Sequence, residues 1–437
     1  MTEPTADATT PKGLTPPKLL AGGCLSLVVL LLIAVQLWCA DDPRPDDSVM
    51  AFREAADRKN VLAEVTKAVS GFKESKSRVV QDALMELESF ERCEVPPVLH
   101  DSYITPNLVV VETLEPLLAG SWRVPEDEVS MTNTLDHLLN LKNCANMLRY
   151  RAWDLARRDK PREALAAAEM ILRIGDRLDG DARSLITWLV AVAIKGIGLT
   201  TLDEVQRFHP PSRDELPARI ALCRRAIGSR AGLAEAFKGE YRMSTGAIDG
   251  IASGETAQTD GLGIGKVSGL KVRFLLKPNR TRAILLEAFG EAVRHAEDPS
   301  APLDSFDEAA LARGARSFGP NMVGRILVSM LLPACHRTFI KQKSSVATAR
   351  MRAIAIALHG VEQRNGGLPS SLGVLSLGNY PRAARADPFD GKPLRYLPAK
   401  RLLYSVGEDG VDDGGQEPND LVVPVGPLIK VDKAGQR

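Results

Sequence analysis

The clearest structural pattern in this chain lies in residues 136–207, which read DHLLNLKNCANMLRYRAWDLARRDKPREALAAAEMILRIGDRLDGDARSLITWLVAVAIKGIGLTTLDEVQR. Apolar residues recur there at alternating steps of three and four, and this spacing lines one face of a helix. The first stripe consists of Leu138, Leu141, Ala145, Leu148, Ala152 and Leu155. Pro161 follows a polar break and opens a second stripe, because proline is tolerated in the first turn of a helix. The two stripes predict an antiparallel helical hairpin.

A third helix is predicted over residues 184–207. Its residues are nearly all apolar up to Val192, but Lys195 keeps the apolar run well below the roughly 18 residues that a membrane span needs. We therefore expect a buried central helix. Paired helices of this kind resemble tetratricopeptide (TPR) units, although the full consensus pattern is absent. Such helical repeat scaffolds mostly bind other proteins.

The composition of the whole chain is typical of a mainly α protein. Its 437 residues are 44% apolar and 25% charged, as in ordinary globular proteins, and only 5% are aromatic, which disfavours a β-sandwich. The 56 Lys and Arg residues nearly balance the 55 Asp and Glu residues. No basic surplus exists to drive nucleic-acid binding by counterion release, so we expect no nucleic-acid partner.

Residues 19–40, LLAGGCLSLVVLLLIAVQLWCA, contain no charged side chain. As a transmembrane helix this segment spans about 33 Å, which crosses a bilayer. Lys12 and Lys18 precede it and four aspartates follow within residues 41–47, so the N-terminus is expected in the cytoplasm. The pattern predicts a single-pass signal-anchor in the cytoplasmic (inner) membrane, with a disordered cytoplasmic tail at 1–18 and the bulk periplasmic or extracytoplasmic. A cleaved signal peptide is the alternative, but a cut after Ala40 would place Trp38 where a small residue is needed.

The exported part divides into regions by pattern. Residues 41–128 are predicted as a helical and linker region, in which the proline-containing stretch 94–126, with valines at 109–111, forms a linker or short strand. Residues 129–343 form the helical body, where Asn279 is expected to cap a helix. Four cysteines, at 93, 144, 223 and 335, lie in the exported part; they allow three disulfide pairings, among which the sequence does not choose.

Residues 344–424 are predicted as a small α+β module, followed by a tail at 425–437. Ser344 and Ser345 are candidate caps for a helix that ends at Asn365-Gly366-Gly367, and a turn and a β-hairpin follow. The next stretch, GEDGVDDGGQEPND at 407–420, carries six carboxylates and no Lys or Arg. Calcium binds carboxylate and carbonyl oxygens, and glycines let a chain wrap around the ion. A calcium site and a solvated acidic loop are the two interpretations, and the spacing is not that of an EF-hand.

Three motifs occur in order in this segment: GGLP at 366–369, DPFDGKPLRY at 387–396 and YSVGEDG at 404–410. Together they resemble the C-terminal domain of the major pseudopilin of type II secretion systems, a family whose final loop binds calcium. By position, the resemblance implies calcium ligation by the carbonyls of Val406 and Val411 and by the carboxylate of Asp409. The later ligands do not align uniquely; Asp413 and Asp420 are preferred, with Asp412 and Glu417 as alternatives. The whole exported part also resembles a class of bacterial membrane-anchored helical proteins with pseudopilin-like tails.

These features predict a secretion-associated envelope protein that binds or organises other envelope proteins, with calcium stabilising its C-terminal module. An envelope hydrolase is one alternative, but the six histidines show no ligand spacing, and neither G-x-S-x-G nor H-E-x-x-H occurs. The glycine-rich run at 261–266 fits no phosphate-loop pattern, because Asp260 and Val267 occupy required positions. A divergent pseudopilin subunit is the other alternative, although the chain lacks the glutamate expected at the fifth mature position. We expect no catalytic residues.

Overall fold

The structure is a computed structural model. It describes residues 31, 35, 36 and 38 and the ranges 40–53, 58–74, 77–88, 95–129, 136–253, 275–298, 320–375 and 385–425. The described residues belong to two compact units. The first draws on Met1–Pro45, Ile248–Ile284 and Ala309–Ser329, and the second on Asp46–Ala247, Leu285–Glu308 and Met330–Arg437.

The described part of the chain is mainly α-helical, which confirms the predicted fold class at this coarse level. The longer helices are α1 Leu62–Ser70, α2 Arg78–Glu88, α3 Thr105–Leu117, α4 Asp136–Arg157, α5 Pro161–Gly180, α6 Leu185–Phe208, α7 Leu216–Arg225, α8 Arg230–Ser253, α9 Pro278–Glu297 and α10 Met322–Asn365. A three-stranded antiparallel sheet has the order β1 Arg395–Leu397, β2 Leu402–Ser405 and β3 Leu421–Pro424.

The hairpin predicted from residues 136–207 is present as α4 and α5, which pack against each other. The connecting turn contains Asp159, whose φ of 60° lies in the left-handed region and allows a sharp reversal of the chain. Leu141 and Leu148, from the first predicted stripe, and Ile171, from the apolar face of the helix that follows Pro161, have almost no exposed surface. The apolar periodicity therefore located both helices and the faces that they bury.

The third predicted helix, α6, packs against both α4 and α5. Ser184 caps its start, since the Ser184 hydroxyl oxygen accepts a hydrogen bond from the N–H of Thr187. Trp188 is fully buried. Lys195 is buried as well, and its Nζ donates to the Asp179 carboxylate at 2.6 Å. A buried lysine is thus tolerated in this central helix because it is paired.

Two described helices are long and apolar enough to cross a membrane by length and composition: Leu185–Gln206, within α6, and Met322–Asn365, which is α10. The protein buries about half of the most apolar window of each, 50% and 47%, and a core helix can meet the same criteria. The predicted tail 1–18 and membrane segment 19–40 lie outside the described residues, except for positions 31, 35, 36, 38 and 40.

The valines at 109–111 lie in α3, so the prediction of a linker or strand there is wrong. Val110 and Leu114 are buried in a core that α3 shares with α1. β-branched residues lose side-chain freedom in a helix, but this cost is a fraction of a kcal/mol per residue. Burial of the apolar face outweighs it.

Ser344 and Ser345 do not begin a helix, because α10 runs without interruption from Met322 to Asn365. The Ser344 hydroxyl donates to the carbonyl of Ile340 at 2.9 Å, and that of Ser345 donates to the carbonyl of Ala226 at 3.2 Å. Each serine thus satisfies its hydroxyl on a carbonyl oxygen without ending the helix. The predicted module boundary at residue 344 falls inside α10.

The small sheet shares one hydrophobic core with the helices. Residues of this core include Leu172 and Leu202 from α5 and α6, Ile354 and Leu358 from α10, and Leu394, Leu403 and Val423 from the sheet region. A sheet of three short strands buries little apolar surface alone and needs a helix to pack on. The sheet therefore depends on α10 for its stability.

In the first unit, two aspartates that follow the predicted membrane segment hold the start of α9. The carboxylate of Asp41 accepts hydrogen bonds from the backbone N–H groups of Asn279 at 2.8 Å and Arg280 at 3.3 Å. The carboxylate of Asp42 accepts two more from the Arg280 guanidinium, at 2.8 and 2.9 Å. Asp41 therefore takes the capping role that the sequence assigned to Asn279, and that prediction is wrong.

Candidate functional site

The candidate site is the acidic loop, residues 406–420, which connects β2 to β3. The two strands pair in antiparallel register, with Ser405 opposite Leu421, so the loop leaves and re-enters the sheet at neighbouring positions. Gly407 lies at the close approach: its φ is +68°, and a Cβ placed there would be 2.1 Å from the carbonyl oxygen of Asn419. Glycine is therefore required where the two ends of the loop meet.

A buried carboxylate fixes the first residue of the acidic loop. Asp387, which is 1% exposed, accepts a hydrogen bond from the N–H of Val406 at 3.0 Å and another from the Ser405 hydroxyl at 2.9 Å. The Arg395 guanidinium lies 2.9 Å from the same carboxylate. The charge of Asp387 is thereby paired and its oxygens are hydrogen-bonded, as a buried carboxylate requires.

Arg395 also joins two further carboxylates, those of Asp390 and Asp412. Its hydrogen bond to Asp390 holds the pKa of that carboxyl below its usual value. The pKa of Asp412 is lowered too, first by the N–H of Gly414 and then by the Tyr404 hydroxyl, which donates to it at 3.0 Å. Asp412 is thus engaged with the sheet, which argues against its use as an alternative metal ligand.

Asp420 is the most deeply buried carboxylate of the acidic loop, at 1% exposure. One of its oxygens accepts hydrogen bonds from the N–H groups of Gly415 at 2.8 Å and Gln416 at 3.2 Å. The other, Oδ1, is buried and has no hydrogen-bond partner among the residues that the structure describes. An unpartnered buried carboxylate oxygen is costly, so this atom calls for a cation or another donor.

The five predicted ligands all lie in this loop but differ in exposure. Val406 is buried, whereas Asp409 and Val411 are exposed. Asp409 accepts a hydrogen bond from the N–H of Val411 at 3.1 Å, and Asp413 accepts one from the Asn419 side chain at 2.9 Å. Across the described residues, no three His, Cys, Asp or Glu side chains form a group that could hold a metal ion.

Backbone carbonyls are the other oxygen donors in this loop. The carbonyls of Val406 and Val411 accept no backbone hydrogen bond from the described residues. These two carbonyl oxygens and Oδ1 of Asp420 are oxygens of the chemical type that calcium accepts.

Sequence reasoning missed the roles of Asp387 and Arg395. Both belong to the quoted motif DPFDGKPLRY, yet their contact with the acidic loop spans 19 residues of sequence between Asp387 and Val406. The sequence does contain a signal for these roles. Two aspartates, Asp387 and Asp390, lie in a turn directly before the hairpin of β1 and β2, and Arg395 follows them as a candidate partner.

Comparison of the chain with protein-family models, curated proteins and solved structures finds no match. The functional argument therefore rests on the residues of this chain.

Proposed function

We propose that this chain is a membrane-anchored envelope protein whose helical body binds or organises other proteins and whose C-terminal module is stabilised by calcium. The observation that carries the calcium site is the buried, unpartnered Oδ1 of Asp420 within a loop of six carboxylates. Neutralising that charge by a cation removes both the desolvation cost of the buried oxygen and the repulsion within the loop.

The ligands in this proposal are the carbonyls of Val406 and Val411 and the carboxylates of Asp409, Asp413 and Asp420. Calcium takes six to eight oxygens in flexible geometry, and water completes its coordination, so a set of mixed carbonyls and carboxylates is suitable. These three carboxylates are not grouped in the structure, so the proposal requires that Asp409 and Asp413 exchange their exposed hydrogen bonds for the ion and move toward Asp420 as it binds. Asp387 fixes the backbone at the start of the loop, where Val406 lies, before calcium binds.

Two sequence features support the wider proposal. The motif series at 366–410 resembles the major pseudopilin of type II secretion systems, which suggests a secretion-associated role. The charge-free segment 19–40, with lysines before it and aspartates after it, supports an anchor in the inner membrane. The helical pairs α4, α5 and α6 supply the kind of scaffold that binds partner proteins.

Thermal unfolding of the full chain in detergent tests the calcium proposal. If calcium binds only the folded protein, a hundredfold excess over the dissociation constant stabilises it by about 2.7 kcal/mol. We expect a higher melting temperature in millimolar calcium than in chelator, with magnesium less effective because it requires tighter octahedral geometry. Identical melting curves in calcium and chelator would contradict the proposal.

A further inference from the structure

A cavity of about 610 Å³ in the second unit lies between the end of α3, the end of α5 and the end of α7. Cavities of this size are typical of small-molecule sites. Five arginines line it: Arg58, Arg123, Arg173, Arg177 and Arg225. The same wall contains three carboxylates, those of Glu115, Asp176 and Asp181, so the lining carries an excess of two positive charges.

The carboxylates do not satisfy all of these arginines. Arg173 pairs with Glu115 at 2.9 Å and Arg225 with Asp176 at 2.8 Å. Asp176 is shared, because the Nζ of Lys195 lies 3.0 Å from it. Each of these two cations also has a second carboxylate, Asp179 for Lys195 and Glu169 for Arg225, so the unmatched positive charge of the wall lies at the other arginines.

Asp181 is shared in a similar way. Its carboxylate accepts hydrogen bonds from the N–H of Trp122 at 2.7 Å and from the Arg123 side chain at 3.2 Å. Arg177 comes no closer to it than 3.7 Å. Arg58 is exposed and makes no ion pair with any residue that the structure describes.

Among the arginines that line the cavity, Arg177 gives the strongest indication of a bound ligand. Its Nε is buried and has no hydrogen-bond partner in the described part of the chain. The residue lies in the last turn of α5, where the helix dipole favours a cation. The dipole accounts for a positive charge at this place, but it does not supply an acceptor for a buried guanidinium N–H.

We propose that this cavity binds a phosphate group, either as inorganic phosphate or as part of a small phosphate ester. The planar N–H groups of arginine match the oxygen spacing of phosphate, and the negative charge of phosphate offsets the positive excess of the lining. The cavity is larger than one phosphate group, and Pro116 and Leu118 form an apolar part of its wall on which the body of an ester packs. This site is separate from the acidic loop and does not depend on the calcium proposal.

Calorimetric titration of the full chain in detergent tests the site, with inorganic phosphate in one arm, glycerol 3-phosphate in a second and chloride at matched ionic strength in a third. The variants are Arg177→Gln and Arg58→Gln, and the matched control is Arg158→Gln. Arg158 is an exposed arginine that pairs with Asp154 and lies outside the cavity. Arg58→Gln removes no ion pair that the structure describes, so it keeps the test decisive if Arg177→Gln fails to fold.

We expect saturable binding of phosphate or its ester and none of chloride. Loss of one charged hydrogen bond by Arg177→Gln weakens binding roughly tenfold. Arg58→Gln weakens it by a smaller factor, and Arg158→Gln leaves it unchanged. Tighter binding of the ester identifies the apolar wall as part of the site, and equal binding identifies phosphate itself as the ligand. The proposal is overturned if neither compound binds at millimolar concentration, or if the cavity variants bind as tightly as the Arg158→Gln control.

Discussion

The backbone N–H of Val406 donates a hydrogen bond to the buried carboxylate of Asp387 at 3.0 Å. The N–H belongs to the rigid peptide unit that joins Ser405 to Val406, so this contact fixes the position of the Val406 backbone from which its carbonyl extends. Asp387 stays charged in the interior because Arg395 pairs with it. The first proposed calcium ligand is therefore positioned by a turn that precedes it by 19 residues.

Replacement of Asp387 by alanine is expected to destabilise the C-terminal module strongly. The variant leaves the N–H of Val406 and the Ser405 hydroxyl without their acceptor and takes one partner from Arg395. The loss of hydrogen bonds to a buried charged group costs about 2 to 4 kcal/mol. Denaturant unfolding in chelator measures this free energy, and Asp413→Ala, which removes only an exposed hydrogen bond, is the control. Equal unfolding free energies of the two variants would contradict the role of Asp387.

Gly407 and Gly410 provide a matched pair for testing the shape of the acidic loop. Both have a positive φ, +68° and +69°, but only at Gly407 would a Cβ meet another atom, the carbonyl oxygen of Asn419. Gly410→Ala is expected to lower the free energy of unfolding by about 1 kcal/mol, because alanine is strained at a positive φ. Gly407→Ala is expected to lower it by about 1 to 3 kcal/mol more, because its Cβ also meets the carbonyl oxygen of Asn419. Denaturant unfolding in chelator measures the two costs. If the two ends of the loop were not in close contact, Gly407→Ala and Gly410→Ala would lower the free energy of unfolding by the same amount.

The hairpin α4–α5 and the central helix α6 could be predicted from sequence because their signals are local. Apolar spacing, Pro161 and Ser184 act within one or two turns of the chain. The errors fall where tertiary contacts outweigh local preference. The valines at 109–111 are helical because α1 and α3 bury them together, and Ser344 stays helical because apolar residues continue on both sides of it.

The candidate site was only partly predictable. The charge density of residues 407–420 predicts the loop, and the motif series leaves its later ligands open among Asp412, Asp413, Glu417 and Asp420. Neither indicates which carboxylate is buried, because burial depends on how β3 pairs with β2. The role of Asp41 at the start of α9 was missed for the same reason, since 238 residues separate it from Asn279.

Asp41→Ala is expected to loosen the start of α9. The variant removes the acceptor for the N–H groups of Asn279 and Arg280, and loss of such a cap costs about 1 kcal/mol of local stability. Amide hydrogen exchange of Asn279 and Arg280 should therefore become roughly fivefold faster. Asp46→Ala, an aspartate whose side chain accepts from Ser48, is the control and should leave these amides unchanged. Unchanged exchange in Asp41→Ala would show that the cap contributes nothing.

Calcium titration of the full chain by calorimetry tests the proposal that the acidic loop binds calcium through Asp409 and Asp420. We expect one calcium ion per chain, with binding lost in Asp409→Asn and Asp420→Asn. Glu408→Gln, which removes an exposed carboxylate next to Asp409, is the matched control and should bind as the unaltered protein does. Absence of calcium binding by the folded protein, or equal binding by all three variants, would contradict the account.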